Sequence, residues 1–117
     1  MIKNWPDTLA ALSAELRTLR HGAPDIMKVF AASAQTALKA GALDSKTKEL
    51  LALGISIAVR CDDCIAFHAK AAVELGASEA EILETISMAI YMGAGPSVMY
   101  ASHALEAFSQ FQASKAA

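Results

Sequence analysis

Cys61 and Cys64 are the only cysteines in the sequence, and His68 follows the second of them by four residues. Positions three and four apart share a face of a helix. The run Cys61-Asp62-Asp63-Cys64-Ile65-Ala66-Phe67-His68 therefore sets two thiols and an imidazole on successive turns of one face. Three chemistries are open to such a group. The thiols can form and break a disulfide, they can hold a metal with further ligands, or they can fill a core as small apolar side chains.

Cysteines at i and i+3 around a helix start come within disulfide reach after a small backbone adjustment. Closing so short a loop would stabilise the fold by only about 2 kcal/mol on the loop-entropy model. That favours a reversible bridge over a structural staple. Both cysteines are expected in the first turn of their helix, where free N–H groups and the helix dipole stabilise a thiolate. Arg60 adds positive charge, and Asp62 and Asp63 oppose it. Helical side chains lean toward the N-terminus, so His68 reaches back toward Cys64, as a base beside a nucleophile would.

Glu49 joins this group by geometry. In an antiparallel hairpin of the third and fourth helices turning near Arg60, residue 49 lies opposite about residue 72, and one turn of slack brings its carboxylate alongside His68. There it would orient the imidazole and favour its protonated form, giving a Glu–His–Cys relay. A metal site would need four ligands. Cys61, Cys64, His68 and Glu49 could supply them, although a single Cys-x-x-Cys without a second close pair is a weak zinc pattern. Taken alone, Glu49 reads as a solvated helix carboxylate beside Lys46 and Lys48, and His21 as a dipole partner at a helix end. His103, Tyr91 and Tyr100 read as core or interface groups, and Met88, Met92 and Met99 as packing or as the lining of an apolar pocket.

The elements that must position these residues are marked by start and stop signals. Asn4 caps a first helix with Pro6 in its first turn, running through Leu9, Leu12, Leu16 and Leu19 and ended by His21-Gly22-Ala23-Pro24. A second helix spans roughly Pro24 to Ala40, with Ile26, Val29, Phe30 and Leu38 as its apolar members, and Gly41 stops it. Asp44 or Ser45 caps a third helix carrying Glu49 and the apolar run to Val59. Residues 60–63 turn the chain into a fourth, ended by Gly76 after Leu75. Ser78-Glu79-Ala80-Glu81 is a capping box opening a fifth helix, which runs to Met92-Gly93. Residues 94–97 form a tight connection to a last helix reaching Gln112. No segment of strand length alternates with period two. The expectation is an all-α fold of about six helices: an N-terminal helical pair over residues 1–41 and a compact core over 44–113 that carries the cysteine motif, all in one domain, 1–117.

Of the 117 residues, 55% are hydrophobic and 19% charged, and the net charge is −2. An apolar fraction this high in so short a chain points to surface spent on a subunit interface, hence a homo-oligomer. The charge balance gives no basic patch for nucleic acid. The longest apolar run, Leu50 to Val59, is half of the about 20 residues that span a bilayer. The start lacks the basic-then-apolar pattern of a signal peptide, so a cytoplasmic location without membrane attachment is expected. In that compartment a Cys-x-x-Cys more often means redox catalysis or metal than a standing staple.

Glu49, eleven intervening residues, Cys61-x-x-Cys64, three residues and His68 together resemble the alkylhydroperoxidase D-like branch of the carboxymuconolactone decarboxylase superfamily. Residues 48–53, 69–72 and 75–77 around the motif fit it too. Gly93-Ala94-Gly95-Pro96 and Tyr100-Ala101-Ser102-His103-Ala104 are similar to the family's closing segment, so the likeness covers roughly Leu38 to Phe108. The resemblance implies an all-helical trimer or hexamer with thiol-dependent peroxidase or disulfide-reductase activity and an antioxidant role. It makes Cys64 the residue that attacks a hydroperoxide, Cys61 the resolving thiol, and Glu49 and His68 the proton relay. An external dithiol, on a lipoyl-bearing or thioredoxin-like protein, would restore the thiols. No metal or other cofactor is called for. Longer members of the family place a histidine directly before the second cysteine, where this chain has Asp63, one proton carrier fewer. The alternatives are a decarboxylase-type enzyme using His68 or His103 as base on a small lactone or keto acid, and a metal-binding module.

Overall fold

The computed structural model describes residues 1–116 and is helical throughout, with no strand among them. Five helices follow one another: α1 (Trp5–Gly22), α2 (Pro24–Leu38), α3 (Ser45–Ala58), α4 (Asp62–Glu74) and α5 (Glu79–Ala116). The capping residues read from the sequence act as expected. Asn4 Oδ1 accepts from Asp7 N–H at 3.1 Å, and Asp44 Oδ1 from Thr47 N–H at 2.8 Å. Ser78 and Glu81 exchange reciprocal bonds of 2.9 and 3.1 Å, satisfying two N–H groups that a helix start leaves free.

The expected fifth and sixth helices adjoin within α5 and meet at a kink of a single residue. Ala94 holds φ 56° and ψ −143°, and helix continues on both sides of it. Pro96 is the physical cause. It has no N–H to donate to the carbonyl of Met92, and its ring would strike that carbonyl in a straight helix. Gly93 sits at the inside of the bend, where any Cβ would collide with the side chain of Ser97.

The core lies among α3, α4 and α5, with α1 laid across α4 and α5. Leu53, Ile57, Ile65 and Ile82 are fully buried there, with Trp5 delivered from α1. Ala66, Ala69 and Ala72 on α4 and Ala101, Ala104 and Ala107 on α5 are also buried; these small side chains let the helices approach closely. No residue of α2 is buried, and Ile26, Val29 and Phe30 stand about two-thirds exposed. Among the described residues no helix is long and apolar enough to cross a membrane.

Candidate active site

The site is built on the turn between α3 and α4. At the end of α3, Arg60 N–H donates to Ile57 O (3.1 Å) and Cys61 N–H to Ser56 O (3.0 Å). This is the paired closure of a Schellman cap, whose pivotal position is left-handed and usually glycine. Here that position is Arg60, at φ 62°. The α4 end is closed by the same pairing through Gly76, at φ 80°. Arg60 thus accepts a conformation that costs a side-chain-bearing residue roughly 1–2 kcal/mol.

Cys61 is the N-cap of α4 and does not belong to its first turn as expected; its sulfur accepts from Cys64 N–H at 3.2 Å. The two cysteines are joined as a disulfide, with Cα atoms 5.2 Å apart. Both residues are half-buried. A sulfur that already accepts an N–H at a helix start is a sulfur whose anionic form is favoured.

Four residues beyond Cys64, on the same face of α4, His68 Nδ1–H donates to Glu49 Oε2 at 2.7 Å. The pair crosses the hairpin, and Glu49 is buried to 7% exposure, no longer the solvated carboxylate that its lysine neighbours suggest. Buried charge needs a partner, and the imidazole supplies it. The hydrogen bond fixes the Nδ1-protonated ring and leaves Nε2 to take or give a proton.

A second ion cluster escapes sequence reasoning. Asp62, between the cysteines, receives Lys3 Nζ on Oδ2 at 2.7 Å and His103 Nδ1–H on Oδ1 at 2.8 Å. Burial alone would raise the Asp62 pKa. The hydrogen bonds from Lys3 and His103, with their charges, outweigh it and hold the carboxyl below the usual range. The residues come from three separate parts of the chain, and no spacing links them. The available signal was Asp62 itself, a carboxylate beside two thiols that would call for a counter-charge. Asp63, by contrast, is exposed.

Met88 and Met92 line an apolar groove of about 530 Å³ between α3 and α5, with Leu50, Leu51, Gly54 and Ile55; Met99 does not line it, and neither do the cysteines. Among the described residues no group of three or more His, Cys, Asp or Glu side chains is placed to hold a metal ion.

Residues 24–107 match the model of the carboxymuconolactone decarboxylase family. The chain belongs to that family. It is similar to an uncharacterised protein of Cupriavidus necator, 32% identical over 90% of this chain and 93% of the relative. Among solved structures, a carboxymuconolactone decarboxylase family protein of Legionella pneumophila superposes with a TM-score of 0.89 at 45% identity, covering 92% of this chain and 96% of the other. A Thermotoga maritima member, described as a candidate for the antioxidative response, superposes with a TM-score of 0.84 at 28% identity over 93% of each chain.

Proposed function

We propose that this family member belongs to the alkylhydroperoxidase D-like branch and is a thiol peroxidase and disulfide oxidoreductase, cycling Cys61 and Cys64 between dithiol and disulfide. The observation that carries the reading is a bonded Cys61–Cys64 pair at the start of α4, one turn from a part-buried Glu49–His68 pair. The Cys64 thiolate attacks the distal peroxide oxygen, forming S–O as O–O breaks, and the departing alkoxide takes a proton relayed by His68. The Cys61 thiolate then displaces hydroxide from the Cys64 sulfenic acid, which leaves as water, and the disulfide forms. An external dithiol of the lipoyl or thioredoxin type returns both thiols by exchange. Glu49 keeps the imidazole oriented while it changes charge.

The description of the Thermotoga protein supports an antioxidant role. The exposed Ile26, Val29 and Phe30 on α2 support a homo-oligomer, trimer or hexamer, and a cytoplasmic setting suits a dithiol cycle. The test is mass spectrometry of reduced protein before and after tert-butyl hydroperoxide. The expected result is loss of two hydrogens and of both alkylatable thiols, abolished by Cys64→Ser. Two thiols surviving excess hydroperoxide would overturn the proposal.

A further inference from the structure

The N-terminal strap, residues 1–4, is anchored with a thoroughness that its length does not require. Glu106 accepts from the backbone N–H of Ile2 (2.8 Å) and Lys3 (2.9 Å), and from Trp5 Nε1–H (2.9 Å). Gln110 accepts from Trp5 N–H at 2.7 Å and donates to Lys3 O at 2.7 Å. Trp5, fully buried, pins the end of the strap into the core. What all this fixes in space is one ammonium group. Lys3 Nζ lies 5.2 Å from the centre of the Trp5 ring and 2.7 Å from Asp62 Oδ2. The other Asp62 oxygen is held by His103, which is itself flanked by Trp5 and Tyr100 with ring centres 6.0 and 5.1 Å away.

Asp62 is where its charge matters. It follows Cys61 directly and opens the helix on which Cys64 sits, and its side chain is only 21% exposed, so water screens it poorly. An unpaired carboxylate there would oppose a thiolate on either cysteine and cancel the advantage of the helix start. The groups bearing on it are Lys3 from the strap and His103 from α5, with Arg60 and Asp63 beside it on its own segment. The thiols have in addition His68 one turn along α4, paired with Glu49 of α3, and both of these are unchanged in the variants below. We infer that Lys3 and His103 are positioning residues for the redox pair: by clamping and neutralising Asp62 they keep the Cys61 and Cys64 thiols acidic enough to react near neutral pH. The inference rests on the proposed dithiol cycle, yet it concerns the thiols themselves and needs no peroxide to be tested.

The experiment is the pH dependence of iodoacetamide alkylation of the reduced full-length protein, followed residue by residue by mass spectrometry, with Trp5 fluorescence as the check of fold. Lys3→Met should raise the alkylation midpoint by about half to one pH unit, a roughly three- to tenfold slower reaction at neutral pH. Lys3→Arg should restore the wild-type profile. Asp62→Asn leaves the Lys3 ammonium unpaired and should lower the midpoint, and adding Lys3→Met to it should bring the midpoint back toward the wild-type value. An unchanged midpoint in Lys3→Met would overturn the inference. So would a Lys3→Arg variant that keeps the Lys3→Met midpoint although its charge is retained, which would mark Lys3 as acting through the fold alone. If the thiols titrate as expected but survive hydroperoxide, the clamp stands and the peroxidase reading falls.

Discussion

Replacing Glu49 by glutamine tests the relay with the least change of shape. Glu49 is buried, and its 2.7 Å bond to His68 lies at the short end of the range for a charged pair. Hydrogen bonds involving a charged group contribute about 1.5–3 kcal/mol, and neutral ones about 0.5–1.5 kcal/mol. Glutamine keeps a bond but loses the charge, so the hold on a protonated imidazole weakens by about 1–1.5 kcal/mol. At 1.4 kcal/mol per decade this is roughly a tenfold loss in any step in which His68 carries the proton. The assay is a single turnover of prereduced protein with tert-butyl hydroperoxide from pH 6 to 9, read as thiol loss. The expected result is a roughly tenfold slower reaction with an altered pH–rate profile, and no further effect of Glu49→Gln once His68 is asparagine. A rate within twofold of wild type and a superimposable profile would refute the relay, whatever the distance between the side chains.

Acid should release the strap. Asp62 and Glu106 both have pKa values lowered in the fold, Glu106 chiefly by the backbone N–H groups of Ile2 and Lys3. Their stabilisation is therefore complete above the ordinary carboxylate values, about 3.9 and 4.3, and is lost as pH falls through the lower folded values. The emission of Trp5, the single tryptophan, should stay constant from pH 7 to 5 and shift to the red in more acid solution; a red shift complete by pH 5 would contradict this. Arg60→Gly relieves the left-handed strain at φ 62° and should stabilise the fold by up to about 1 kcal/mol, raising the thermal midpoint by a few degrees; a lower midpoint would refute it. Gly93→Ala should destabilise by about 1–3 kcal/mol in urea unfolding, because its Cβ meets Ser97 at the bend of α5. Phe30→Asp on exposed α2 should reduce the mass seen by light scattering to that of one chain; an unchanged mass would remove α2 from the proposed subunit contact.

Glu49 and His68 were legible in the sequence because one hairpin with clear stop signals separates them, and the helical repeat then fixes their register. Even so, Glu49 alone looks like a member of a surface cluster with Lys46 and Lys48; only its position opposite α4 reveals its burial. The left-handed cap at Arg60 left no trace, since the sequence usually marks such positions with glycine. Gly93-Ala94-Gly95-Pro96 announced a break, and the chain leaves helical geometry there, but the connection is shorter than four residues because the distortion is confined to Ala94. The Asp62 cluster was the least visible. Lys3 and His103 lie a hundred residues apart, and they meet only because Trp5, Glu106 and Gln110 bring the start of the chain onto its last helix. His103 read as packing because an imidazole among aromatic rings resembles packing until its carboxylate partner is seen.

Cys61 binds both sides of its turn: its N–H closes the end of α3 and its sulfur caps the start of α4. Glu49 and His68 lie on the two helices so joined, each in a register measured from that cysteine. Inserting one residue into either helix between them would rotate one partner by about 100° relative to the other and part them, while leaving every side chain in the sequence intact. The stretch 49–68 is thus a segment of fixed length, open to exchange of residue types but closed to insertion or deletion. Added peptide belongs instead in the exposed link at residues 40–43, between α2 and α3, where an insertion disturbs the Gly41 N–H bond to Leu43 O (2.9 Å) but leaves the Glu49–His68 register intact.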